Sequence, residues 1–173
     1  VIQHPTSINA SDAAKEMRET MEALRKLELQ CVVIYPNADA GGRAMINVIK
    51  EYEKYPFIKT FKSVPRKEYL GLMKAASVMV GNSSSGIIEA PSLKLPVVNI
   101  GIRQAGRERS ENIIDVEHDK DAIVNSIRKA LYDVDFKEKV KQCKNPYGDG
   151  KSSQRIAKIL REIEITPRLL RKQ

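Results

Sequence analysis

The run Gly81–Asn82–Ser83–Ser84–Ser85–Gly86 joins an apolar stretch, Val78–Val80, to a helical one, Ile87 to Lys94. Small polar residues let a backbone come close to a ligand, and their N–H and hydroxyl groups all donate to an anion. The helix expected after the loop adds its positive end, although Pro91 requires that helix to begin late, near Ile88, or to kink. The run is neither the Gly-Lys-Ser/Thr phosphate loop nor the GxGxxG of dinucleotide binders, so a phosphate here needs another arrangement. A surface turn with a serine cap is the plain alternative. Glu89 follows Gly86 by three residues. A carboxylate so placed repels phosphate, but it accepts two hydrogen bonds from vicinal hydroxyls such as those of a ribose. An exposed helix glutamate is the other reading.

A second loop, Gly101 to Asn112, follows the apolar run Val97–Ile100 and carries Arg103, Gln104, Arg107 and Arg109. The planar guanidinium fork suits diphosphate oxygens, against the alternative of a solvated charged loop. His4 precedes Pro5, which holds it extended at the end of the first apolar segment. A histidine there can donate to a phosphate or protonate a leaving group, and can equally be structural. His118 reads as an exposed residue at a helix start. Two cysteines without a CxxC spacing and two histidines make no metal constellation, and no cofactor signature is present.

These loops need a frame. Val1–Gln3 reads as a strand stub, and Ser11 to Leu27 as a helix capped by Ser11 or Asn9. Strands are expected at Cys31–Tyr35, Phe57–Phe61, Val78–Val80, Val97–Ile100 and Ile113–Val116. Helices are expected at Gly41 to Tyr55, Pro65 to Ala76, Lys120 to Tyr132, Phe136 to Cys143 and Ser153 to Ile165. The strand runs are continuously apolar, as in strands buried on both faces, and they alternate with helices. The expected fold is a Rossmann-like α/β domain of three layers with a parallel sheet. Ligands of such sheets bind beyond the carboxyl ends of the strands, where all three candidate segments lie.

Composition narrows the partners. The 173 residues are 42 % apolar, enough for a packed core, and carry a formal charge of +8. Aromatic content of 5 % without Trp provides no stacking platform, so nucleic acid is not expected as a partner. Charges interrupt every apolar run before the roughly 18 residues of a membrane span, so no membrane is expected either. Cys31 reads as a buried core thiol and Cys143 as part of a Lys-rich helix end, which places the chain in the reducing cytoplasm. A domain from 1 to 165 and a basic tail from 166 to 173 are expected, the tail holding Arg168, Arg171 and Lys172. The chain opens on Val1 inside an apolar pair and reads as a piece of something longer.

The serine loop through Pro91, Leu95 to Gln104, Gly106–Arg107, Glu111–Asn112 and Tyr147–Gly148–Asp149–Gly150 resemble the hydrolysing UDP-N-acetylglucosamine 2-epimerases of sialic acid biosynthesis. The resemblance extends to His4–Pro5–Thr6 and Pro36 to Gly41, nearly the whole chain apart from the tail. The non-hydrolysing branch carries a His-Arg-Arg-Glu-Asn run where this chain has His4–Pro5–Thr6–Ser7–Ile8, which favours the hydrolysing branch. The resemblance implies the C-terminal half of a glycosyltransferase-B type fold, the half that holds UDP or a UDP-sugar. It implies Ser83 and Ser84 on the phosphates, Arg103 and His4 at the diphosphate, Glu89 on the ribose and the backbone near Val64 at the uracil. It further implies elimination of UDP to a glycal and addition of water, giving N-acetylmannosamine and UDP, with His4 the one catalytic candidate present. The acid/base carboxylates would belong to the N-terminal half, so this chain is expected to bind without full activity, and the full-length enzyme to be a homodimer. The alternatives are the nucleotide-sugar half of a glycosyltransferase of the same fold and a non-catalytic anion-binding module.

Overall fold

The computed structural model describes residues 1–6, 10–167 and 169–171. Five strands, β1 (Cys31–Ile34), β2 (Ile58–Phe61), β3 (Met79–Gly81), β4 (Val97–Ile100) and β5 (Ile113–Val116), run parallel. They are interleaved with α1 (Ala13–Leu27), α2 (Gly42–Glu51), α3 (Arg66–Ala75) and α4 (Ser85–Ile88), and followed by α5 (Lys120–Tyr132), α6 (Val134–Gln142) and α7 (Ser152–Glu162). β1 pairs with β2, and β4 lies between β3 and β5. The expected strand stub is reduced to Ile2, which bridges in parallel to Ile34 on one side and Gly81 on the other. Counting that segment first, the spatial order is the 3-2-1-4-5-6 of dinucleotide-type folds, with the order reversing beside Ile2.

Alternation along the strands builds the two outer layers. Val33, Val80, Val98 and Ile100 pack with the apolar faces of α1, α2 and α5. Ile2, Met79 and Val97 pack with Met73 of α3 and with Ala90 and Leu95 around a 3-10 turn, Ala90–Leu93. α1 shows why its sequence is helical: Ala13, Met17, Met21 and Leu24 recur every three or four residues and all are buried. Its boundary differs from expectation, since Asp12 occupies the cap position without a side-chain bond and Asn9 lies outside the described residues.

α2 ends at Glu51 rather than Tyr55, in turns that lead through Tyr52–Tyr55 to β2. α6 starts two residues earlier than its apolar pattern marks, because the Asp133 carboxylate caps it by accepting the Phe136 N–H at 2.7 Å. Cys143 caps the Lys-rich end of α6 and is fully buried there, whereas Cys31, expected as a buried core thiol, is only half-buried. Of the tail, Arg168 and Lys172 lie outside the described residues. No helix among the described residues is long and apolar enough to cross a membrane.

Candidate functional site

The three candidate segments meet at the carboxyl ends of the central strands, and Asn82 is where they join. It follows Gly81, whose φ of +123° is natural only for glycine. A Cβ on Gly81 would lie 1.9 Å from the Ile2 carbonyl oxygen, so the residue lets β3 press against the first segment. Asn82 is 1 % exposed and uses every polar group it has. Its backbone N–H donates to Ile2 O at 3.1 Å, its Nδ2 to His4 O at 2.9 Å, and its Oδ1 accepts the His4 N–H at 2.7 Å. Its carbonyl accepts Arg103 Nη1 at 3.2 Å and Gln104 Nε2 at 2.8 Å. His4, the serine loop and the cationic loop are thereby one hydrogen-bonded unit.

His4 is oriented from a fourth segment. The Asn37 N–H donates to His4 Nδ1 at 3.1 Å, so the neutral ring carries its proton on Nε2. Burial, and next the Arg103 charge, hold His4 below the usual histidine value, while Asp39 opposes them. Protonating Nδ1 would also forfeit the Asn37 bond. The ring is therefore a neutral Nε2–H donor at neutral pH.

The serine loop continues into α4 earlier than expected. Ser85 starts the helix and the break falls after Ile88, so that Glu89 links α4 to the 3-10 turn containing Pro91. A helix of four residues develops little macrodipole, and its first amides are taken by the turn: Gly86 N–H bonds Ser83 O and Ile87 N–H bonds Ser84 O. Ser83 Oγ donates to Ser85 Oγ and accepts the Ser85 N–H, both at 3.3 Å, which leaves the half-exposed Ser84 and Ser85 hydroxyls and the Arg103 guanidinium as side-chain donors for an anion. Gly86 sits against β4, where a Cβ would come within 2.9 Å of Val97 Cγ1. Behind the loop stands Tyr69, whose hydroxyl is raised above the usual tyrosine value by burial.

Glu89 faces Arg66 at the start of α3, with Oε1 3.7 Å from Nη1. Val64 lies just before that helix and lines an open apolar hollow of about 560 Å³ with Phe61, Ser63 and Pro65. The arginines of the second loop divide. Arg103 is half-buried against Asn82, Arg107 is exposed, and Arg109 is committed to the Asp115 carboxylate and to Gln104 O, so the three do not form one anion site. His118 is not the exposed residue its sequence neighbours indicate. Its side chain is 20 % exposed, 3.6 Å from Glu16, and packs where a Gly101 Cβ would lie 2.4 Å from Nε2.

A parallel sheet that reverses its order beside the first segment, between two layers of helices, defines a Rossmann-like α/β domain. Known proteins of that kind make the relationship specific. Residues 1–161 match the family model for UDP-N-acetylglucosamine 2-epimerase, and the chain belongs to that family. It is 40 % identical over 172 residues to the hydrolysing UDP-N,N'-diacetylbacillosamine 2-epimerase of Legionella pneumophila, covering 99 % of this chain and 44 % of that protein. It is 34 % identical over 149 residues to the polysialic acid biosynthesis protein P7 of Escherichia coli, covering 85 % of this chain and 38 % of that one.

Among solved structures, the S. aureus MnaA–UDP co-structure superposes with a TM-score of 0.71 at 19 % identity, over 92 % of this chain and 43 % of that one. The Methanocaldococcus jannaschii UDP-GlcNAc 2-epimerase in complex with UDP-GlcNAc and UDP gives 0.67 at 20 % identity, over 92 % and 44 %. These likenesses bear out the expected fold. The chain spans less than half the length of the relatives it matches.

Proposed function

We propose that residues 1–165 are the UDP-binding half of a hydrolysing UDP-N-acetylglucosamine 2-epimerase, followed by a basic tail at 166–173. The observation that carries this reading is the convergence of His4, the serine loop and Arg103 on Asn82, at the point where the strand order reverses. Ser83, Ser84 and Arg103 hold the diphosphate. Glu89 accepts the ribose hydroxyls, and the backbone near Val64, beside its apolar hollow, meets the uracil.

In the reaction of the whole protein, a proton leaves C2 of the sugar while the C1–O bond to UDP breaks, giving a glycal. Water then adds, and the sugar is released with C2 inverted. His4, neutral with Nε2–H, donates to the departing diphosphate. The carboxylates that take and return the C2 proton belong to a second half of the protein. The relatives, more than twice this length, support such a half, as does the exposed apolar row Ile156, Ile159, Leu160 and Ile163 along α7. The full-length protein is read as a cytoplasmic homodimer, and the L. pneumophila relative makes UDP-N,N'-diacetylbacillosamine a substrate to set beside UDP-N-acetylglucosamine.

Calorimetric titration of UDP into the chain tests the binding role. Saturable binding, weakened by Arg103→Ala, is expected. No heat at millimolar UDP with the fold intact would overturn it.

A further inference from the structure

The Tyr147–Gly148–Asp149–Gly150 motif stands apart from the three site segments, but the chain that leads into it does not. Between α6 and α7 this chain runs without regular structure and is bonded on two sides. On one, Lys94 Nζ donates to the Cys143 carbonyl, and Asn145 Nδ2 donates to Ile88 O at 2.8 Å and to Ser92 Oγ at 2.7 Å. On the other, the Tyr147 hydroxyl donates to Glu108 O at 3.1 Å, and the Ser110 hydroxyl to Lys144 O at 2.6 Å. The Asn145 side chain is itself held, its Oδ1 accepting the Tyr147 N–H at 2.9 Å. The segment therefore spans from the turn that carries Glu89 to the cationic loop.

Ile88 and Ser92 flank Glu89, and the helix break between them creates the need for Asn145. In a continuing α-helix the Ile88 carbonyl would accept the Ser92 N–H. That N–H bonds Glu89 O at 3.1 Å instead, in the 3-10 turn, and leaves the Ile88 carbonyl free. A part-buried carbonyl requires a partner, and Asn145 supplies it. One amide nitrogen thus ties the residue before Glu89 to the turn after it. The Glu89 carboxylate has no comparable anchor. Among the described residues its one ion pair is with Arg66, at 3.7 Å, and the Arg66 side chain is 75 % exposed. Glu89 is therefore aimed by its backbone rather than by its side-chain contacts.

We propose that Asn145 is a positioning residue for the Glu89 carboxylate: its two donations hold the helix break that turns Glu89 toward the ribose of a bound nucleotide. The proposal rests on the reading of Glu89 as the acceptor of the ribose hydroxyls. Accepting two vicinal hydroxyls at once tolerates little misplacement of the carboxylate. Asparagine suits the task because Nδ2 carries two N–H groups while Oδ1 still accepts. An aspartate would set a negative oxygen against the Ile88 carbonyl. The bonds of Tyr147 and Ser110 to the rest of the segment keep the amide where Glu89 needs it.

Calorimetry on the full chain and its Asn145→Ala, Ser92→Ala and Glu89→Gln variants compares three ligands: UDP, dideoxy-UDP, which lacks both ribose hydroxyls, and inorganic pyrophosphate. Asn145→Ala is expected to weaken UDP about tenfold while changing dideoxy-UDP and pyrophosphate by less than about twofold, the pattern also expected of Glu89→Gln. Ser92→Ala removes one of the two anchors and is expected to weaken UDP about threefold. A merely structural loss would weaken all three ligands together, and that result overturns the proposal. So does full discrimination between UDP and dideoxy-UDP in both variants, or in Ser92→Ala alone should Asn145→Ala not fold. If the unsubstituted chain binds UDP and dideoxy-UDP equally, or Glu89→Gln changes nothing, the ribose reading of Glu89 falls first and the proposal with it.

Discussion

His4 and Asn82, 78 residues apart in sequence, hold each other by two reciprocal hydrogen bonds: the His4 N–H to Asn82 Oδ1 at 2.7 Å, and Asn82 Nδ2 to the His4 carbonyl at 2.9 Å. The side chain of one residue thus serves as the strand partner that the backbone of the other lacks where the sheet ends.

Replacing Asn82 with Ala leaves the His4 N–H and carbonyl unpaired in a part-buried place. Each such group costs about 1–3 kcal/mol, so Asn82→Ala is expected to lose about 3 kcal/mol in urea unfolding. Asn82→Asp retains the acceptor and loses the Nδ2 donor, and should fall between the two. Equal stability of all three proteins would show that the clamp contributes nothing.

The His4 ring is expected to titrate below the ordinary histidine value of 6.5, with its neutral proton on Nε2, both readable from ring resonances in NMR. Removing the repelling charge by Arg103→Ala should raise the midpoint, and Asp39→Asn should lower it further. The folded state prefers the neutral ring, so the unfolded chain binds the proton first as pH falls. His4 therefore subtracts stability as pH drops below about 6.5, and the loss stops once the folded midpoint is passed.

Glu89→Gln should weaken UDP several-fold while leaving inorganic pyrophosphate affinity unchanged or improved, because the carboxylate serves hydroxyls and repels phosphate. Competition titrations with the two ligands separate these effects. Equal losses for both would contradict the ribose role.

Much of this frame is legible from residue order alone. Apolar runs such as Val97–Ile100 are too short for helices and too continuous for a one-sided sheet. The glycine-serine run marks the loop that approaches a ligand. Residue order puts Asn82 in that loop but does not show its role, because the partners of a side chain at a strand end lie on other strands. The organising roles of Asn37 and Gln104 are hidden for the same reason; the one local signal is an amide residue beside a strand terminus. Arg109 looks identical to Arg103 along the chain, and only the packing of β5 brings Asp115 to neutralise it. His118 misleads in the same way, since its cover is Glu16 on α1 and the backbone of Gly101. For α6 the signal is local, since Asp133 stands three residues before Phe136 as a cap residue, yet a start read from the apolar pattern at Phe136 passes over it.

The bridging of Ile2 to both Ile34 and Gly81 also governs when the site comes into being. Contacts that close loops of 33, 78 and 21 residues, from His4 to Asn37, His4 to Asn82 and Asn82 to Arg103, carry a high entropic cost until the sheet between them exists. Folding therefore assembles the cluster late and in a single step. A core mutation far from Asn82 should lower the fraction of molecules that bind while leaving the affinity of each folded molecule unchanged.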